Sequence, residues 1–313
     1  MERPDVCVVG EINPDLILYG VPAELKSEQE TLIDGFRLTL GSSSAIFAHN
    51  LAAMGTSVGI VSKIGADPLG QIALERLSTG GVDVTRVVVS ATGTPTGLTV
   101  ILAHPGHRFI LTYPGTMNEL KYEDLDFDYI LSARHLHLSS FFLHRLLRPR
   151  IAELFRQAKS KGLTTSLDTN DDPENDWGDD SREVLRFVDI FLPNEREAKL
   201  IARKDNLSEA LTLLSQLCNT VVVKLGAKGA IARQGDNEWR CPAPGVNPVD
   251  TVGAGDSFDA GYIHRFLTGA SPPECLRYAN AAGAFSTTRE GGTEAFRDRE
   301  ALGRFLREVG RLA

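Results

Sequence analysis

Cysteine is scarce in this sequence, and its four cysteines are scattered. Cys7, Cys218, Cys241 and Cys275 form no C-x-x-C pair. That spacing argues against a disulfide framework or a zinc ribbon and predicts reduced thiols. Long apolar runs are missing too. None approaches the ~18 residues of a membrane span, so no membrane association is expected. The opening Met1-Glu2-Arg3-Pro4-Asp5 lacks the basic-then-apolar order of a secretory signal, which predicts a cytoplasmic protein. Positive charge is in deficit, with 33 Lys and Arg against 41 Asp and Glu for a net −8. Nucleic-acid backbone binding relies on clustered cations, so no nucleic-acid partner is expected. A small anion in a locally positive pocket remains compatible. Two phosphate loops are absent: no G-x-x-x-x-G-K-[ST] occurs, and no G-x-G-x-x-G follows the first strand. There is no internal repeat, low-complexity tract or linker.

What is present is an ordinary globular composition, 42% hydrophobic and 24% charged over 313 residues. At ~150 residues per domain the length allows two domains or one large α/β domain. Short apolar runs at 6–9, 58–61, 135–138, 163–167, 190–192 and 221–223 read as buried strands. Helical periodicity marks 45–54, 69–77, 143–160, 181–187, 195–203 and 208–217. This alternation predicts a parallel sheet covered by helices on both faces. Residues 16–18 and 36–40 read as shorter strands, and 229–241 as a hairpin. Residues 87–89, 97–102 and 108–113 are three strand-like runs with no helix between them. They predict antiparallel pairing in a small attached sheet, with a Pro105-Gly106 turn joining the last two. Three helices, 256–268, 272–288 and 298–310, close the chain.

The strongest chemical signal is Asp250-Thr251-Val252-Gly253-Ala254-Gly255-Asp256. Glycines let backbone N–H groups approach an anion, and a helix N-terminus adds unpaired donors and partial positive charge. Asp256 would then stand beside a bound phosphoryl group. The plainer reading makes Asp256 an N-cap after a flexible turn. Plain readings exist elsewhere. Asn194 and Glu197 have the spacing of a capping box. Lys224 suits a strand end that reaches solvent. The acidic stretch 171–183 suits a solvated loop. His135 and His137 alternate on a strand, where a structural role is favoured over metal.

The order of motifs resembles the ribokinase-like, or PfkB, carbohydrate kinases along almost the whole chain. Residues 250–258 are similar to that family's C-terminal signature, and 8–15 to its opening strand and substrate turn. Residues 41–48 lie where its Gly-Gly motif sits. Residues 64–70 resemble its Gly-x-Asp-x-x-Gly, 166–170 its Asp-x-Asn, 193–197 its Asn-x-x-Glu, and 223–229 its nucleotide-binding turn. The resemblance implies a three-layer α/β/α sandwich with a mostly parallel central sheet. It further implies one domain over 1–313, with a β-sheet lid drawn from about 13–40 and 95–113 that is also the place for a homodimer contact. The implied reaction is ATP-dependent phosphorylation of a sugar-like hydroxyl. Asp256 is the implied base, and Gly253, Ala254 and Gly255 the anion hole. Asn13, Asp15, Gly41, Ser42 and Asn170 would meet the acceptor. Asn194, Glu197, Lys224, Gly226, Gly229 and Asn280 would serve ATP and Mg²⁺, with Glu197 acting through water. Asp250, Val252, Ser286, Arg289 and Gly291 would hold K⁺, largely through carbonyls. Two positions depart from the pattern: Ser42 replaces the second Gly, and Ile46 replaces an Asn that often contacts sugar hydroxyls. Arg108, on a lid strand, would suit an acidic or phosphorylated acceptor. A nucleoside kinase or a catalytically idle sugar sensor are the competing functions.

Overall fold

Strands such as Val6–Val9, Val58–Ile64 and Thr220–Lys224 arise from Val- and Ile-rich runs too short for a helix. The computed structural model describes residues 3–104 and 107–311. The chain begins with β1 (Val6–Val9), β2 (Pro14–Tyr19), β3 (Gly35–Leu40), α1 (Ser43–Ala53), β4 (Val58–Ile64) and α2 (Pro68–Gly80). It continues through β5 (Val82–Val89), β6 (Leu98–His104), β7 (His107–Tyr113), α3 (Phe127–Ile130), β8 (His135–Leu138) and α4 (Ile151–Ser160). Then come β9 (Thr164–Leu167), α5 (Asp179–Leu185), β10 (Ile190–Phe191), α6 (Glu195–Ala202), α7 (Leu207–Leu214) and β11 (Thr220–Lys224). The chain closes with β12 (Ala230–Gln234), β13 (Asn237–Cys241), α8 (Ala254–Leu267), α9 (Pro272–Ser286) and α10 (Arg299–Arg311). The expected Pro105-Gly106 turn lies outside the described residues.

The large sheet runs β13-β12-β11-β10-β9-β8-β1-β4-β5. Pairing is parallel from β11 to β5 and antiparallel only through β12 and β13. Side-chain alternation splits β1 between two cores. Cys7 and Val9 join the α4, α6 and α7 side with Phe155, Ile201 and Leu211. Val6 and Val8 join the α1, α8 and α9 side with Phe47, Ile263 and Leu276. The result is the expected three-layer sandwich. One strand differs from expectation. Val87–Val89 belongs to β5, which pairs in parallel with β4 in the large sheet. Helix α2 supplies the crossover that parallel pairing requires, so this run is not part of the lid.

The lid has strand order β3-β2-β6-β7. Its inner face carries Asp15, Ile17, Ile101 and Arg108, and Ile17 and Ile101 pack on Val252. The other face is almost wholly apolar. Cross-strand pairs align Phe36, Leu18, Leu102 and Phe109, and then Leu38, Leu16, Val100 and Leu111.

Strands β1 and β4 lead away from β8 in one direction, while β8 to β11 run in the other. The order therefore reverses beside β1, where open α/β sheets bind ligands outside their carboxyl ends. The His135–Ser166–His137 ladder lies below that edge. Both rings hydrogen-bond Ser166 Oγ at 2.7 Å, and His137 stacks on Phe47. Burial holds His135 down to about 3. These are neutral structural histidines, as the strand alternation implied.

Candidate active site

Helix α8 begins at the glycine turn. Gly253 is its N-cap, with φ at 71°. A Cβ there would lie 2.6 Å from the Gly292 Cα and 3.2 Å from Ile46 Cγ2, so a side chain meets fixed backbone. Ile46, one of the two positions that depart from the motif pattern, lines this turn. Its buried side chain wedges the turn against the 292 segment. Asp256 occupies the third helical position and is 9% exposed. Burial and the nearby Asp168 push its carboxyl up to about 6, against the pull of Lys224 and a hydrogen bond from Ser43. A helix N-terminus alone would favour the ionised form; here desolvation outweighs it.

Lys224 does not reach solvent. Its Nζ sits 2.6 Å from Asp168 Oδ2 and 3.0 Å from Asp259 Oδ2. The side chain is about one-tenth exposed, and both carboxylates are buried. Asp259 escaped the sequence reading. The available signal was an acid three residues after Asp256, on a helix face otherwise filled by Ala260 and Ile263. Burial drives the Asp259 carboxyl well upward despite Lys224.

On the acceptor side, Asn13 Oδ1 is buried and has no hydrogen-bond partner among the described residues. Asp15, on the lid's inner face, lies against Gly41, where a Cβ would meet Asp15 Oδ1 at 1.9 Å. Burial and the Asp256 charge push Asp15 up to about 7, while Arg108 pulls it down. Ser42 adopts a φ of 59°, which explains why glycine suits the position. Its hydroxyl donates to the Glu11 carbonyl at 2.9 Å and accepts from the Ala45 amide. Asn170 accepts from the Ser140 amide at 2.7 Å, so its carbonyl oxygen is engaged within the protein. Glu11, unassigned from sequence, collects Ser44 Oγ at 2.8 Å, Ser140 Oγ at 2.9 Å and His144 Nε2 at 3.2 Å. This knot fixes the floor of the cleft between β1 and β8.

On the nucleotide side, Asn194 and Glu197 form the capping box of α6. Burial and Asp168 push the Glu197 carboxyl up to about 7. Two buried carboxylates that repel one another suit a divalent cation. Mg²⁺ takes one or two such groups and completes its shell with water and phosphate. Gly229 is required by packing, since a Cβ would meet the Cys241 carbonyl at 2.0 Å. Gly226 has φ at 59° and open space around it. The Asn280 amide donates to the Cys241 carbonyl at 3.0 Å, so it holds the exit of β13. Asp250 ties the 250–252 turn to the 291 segment, accepting from the Val252 and Gly291 amides at 2.9 Å each. Ser286 donates back to Gly283, and Arg289 pairs with Asp298. Neither of those two side chains is turned into the loop as a ligand, so only their carbonyls would serve. In the acidic stretch Asp171, Glu174, Asp176, Asp179 and Glu183 are exposed, as a solvated segment requires, and one acid departs from that reading. Asp172 is buried and accepts from the Glu174, Asp176 and Trp177 amides.

Comparison with known proteins agrees with this geometry. The chain is 30% identical over 292 residues to the ATP-dependent ribose-1-phosphate kinase of Halopiger xanaduensis, covering 93% of this chain and 94% of the relative. It is 30% identical over 287 residues to the 2-dehydro-3-deoxygluconokinase of Bacillus subtilis, covering 88% of each. An E. coli chain crystallised with ATP and Mg²⁺ superposes at a TM-score of 0.85 with 25% identity, over 97% of this chain and 99% of that one. The model of the pfkB family carbohydrate kinases matches residues 3–299. The three-layer fold, the switch-point cleft and this match together place the chain in the pfkB family: it is a carbohydrate kinase that phosphorylates a sugar-like substrate with ATP.

Proposed function

We propose that Asp256 takes the proton of an acceptor hydroxyl while the Gly253–Gly255 turn receives the transferred phosphoryl group. The observation that carries this reading is Asp256 itself, a buried carboxyl at the third position of α8 beside a turn that admits only glycine at 253. Phosphoryl transfer asks mainly for positioning and charge stabilisation. The backbone N–H groups opening α8 supply the second. Asn13 and Asp15 orient the acceptor, and the lid strands exclude water from it. Glu197 with Asp168 would hold Mg²⁺, which supplies charge neutralisation along the triphosphate. Carbonyls of the loop organised by Asp250 would hold K⁺.

Within sugars, the acceptor class we favour is anionic. Arg108 lies on the lid face that carries Asp15, close enough to lower the Asp15 pKa. The direct test is ADP release with Mg-ATP and K⁺ against neutral sugars, sugar acids, phosphosugars and nucleosides. Turnover confined to acids or phosphosugars supports the reading. Turnover with nucleosides alone replaces it with a nucleoside kinase, and ATP binding without any turnover replaces it with a sensor.

The outward lid face is the surface we assign to a homodimer contact. Phe36 is 71% exposed, and Leu111 and Tyr113 are each more than half exposed. A patch of this kind is unusual on a monomer. Sedimentation equilibrium should give a dimer for the wild type and a monomer for Leu111→Glu. A monomeric wild type at micromolar concentration rejects the contact.

A further inference from the structure

We propose that Lys224 is a positioning residue for phosphoryl transfer: its ammonium clamps Asp259 of α8 to Asp168 at the end of β9, and so fixes the glycine turn and Asp256 against the sheet. The clamp joins three elements. The Lys224 main chain is itself held to the Asn194 turn through its amide, which donates to the Pro193 carbonyl at 3.0 Å. Its Nζ meets Asp168 at 2.6 Å and both Asp259 oxygens at 3.0 and 3.2 Å. Asp259 lies one turn beyond Asp256 on the same helix, so a shift of one carries the other. The same Nζ lies 3.7 Å from where a Cβ on Gly255 would stand. The ammonium therefore sits beside the anion hole while both its ion pairs face the protein.

The charges around it explain why a cation is needed there. Asp168, Asp256, Asp259 and Glu197 surround one lysine, with Glu11 acting on Asp256 from the turn after β1 and Asp15 from β2. His137, below the cluster, is held neutral by burial, and the nearby Lys224 ammonium adds to the effect. Without Lys224, Asp168 and Asp259 would lose the cation that pairs with both of them inside the protein. A buried ion pair missing one partner is strongly unfavourable, and a small misplacement of reacting groups lowers rate steeply.

A lysine that merely gripped the nucleotide would behave differently, and Asp259→Asn separates the two roles. It keeps the ammonium and the shape but weakens the tie to α8. The positioning role predicts that Asp259→Asn and Lys224→Met each lower kcat by about 30- to 100-fold. KM for ATP should stay within threefold in Asp259→Asn. The double variant should be no worse than Lys224→Met alone, because both remove one link. Assays run below each variant's melting temperature, and Asp259→Asn decides alone if Lys224→Met does not fold. A wild-type kcat in Asp259→Asn, or a loss confined to KM for ATP, overturns the proposal. The inference rests on the roles given to Asp256 and the glycine turn, so Asp256→Asn runs beside it. An active Asp256→Asn would sink that assignment, whereas an inactive one with an unaffected Asp259→Asn sinks only the clamp.

Discussion

Asp256→Asn lowers kcat by about 10²- to 10⁴-fold, the range for loss of a positioned acid–base group, and raises the melting temperature. The two effects share one cause. Asparagine keeps the shape and can still accept a hydrogen bond, but it cannot take the hydroxyl proton. It also removes one charge from a buried group of four carboxyls. The Asp256 carboxyl is pushed up to about 6 in the fold by burial, from an ordinary 3.8. A raised carboxyl pKa favours folding of the protonated form. Its contribution is fully present below the unfolded value and is lost as pH rises through about 6. At neutral pH the wild type carries an ionised group that the fold disfavours, and Asn relieves it. Catalysis needs that ionised form, so activity with a good acceptor should rise with pH through about 6. Initial rates across pH 5 to 8, with thermal melts of both proteins at pH 7, check this. A variant that loses activity and stability together would point to a structural aspartate instead.

Much of the fold was readable from the sequence, because the inner strands of the large sheet, such as β1, β4, β8 and β11, are buried on both faces. A strand such as Val221–Val223 carries an uninterrupted apolar run, and α4 carries a clear amphipathic period, so their types followed from pattern alone. What failed was partner choice. Val87–Val89 has no property that distinguishes a lid strand from the edge of the main sheet. Its place was decided by α2, which brings the chain back parallel to β4. Individual side chains failed for a related reason. Lys224 looks like a solvent-seeking strand end until Asp259 is known to face it, and the two are 35 residues apart. Gly41, Gly229 and Gly253 each stand where a Cβ would strike a neighbour closer than 3 Å.

Gly253→Ala should cost about 10²- to 10³-fold in kcat, the scale of losing a donor to a developing anion, and should lower the melting temperature as well. A φ of 71° strains any L side chain, by about 1–3 kcal/mol. The added Cβ would also stand 2.6 Å from the Gly292 Cα. Neither segment is a flexible side chain, so the turn itself must move and carry the first N–H groups of α8 with it. This combination of lost activity and lost stability is opposite in sign to that of Asp256→Asn. Activity loss alone would not show that the turn acts on the phosphoryl group, since a displaced helix would also misplace Asp256. Gly255→Ala resolves the matter. Its Cβ would meet nothing closer than the Lys224 Nζ at 3.7 Å, an ordinary contact, so the fold should hold and the melting temperature stay near that of the wild type. The methyl group would nevertheless project beside the Lys224 ammonium, into the space assigned to the transferred phosphoryl. A stable Gly255→Ala with kcat reduced tenfold or more places the anion at this turn. A stable and fully active one would leave the turn as packing between α8 and the 292 segment, and the phosphoryl group would have to be received elsewhere in the cleft.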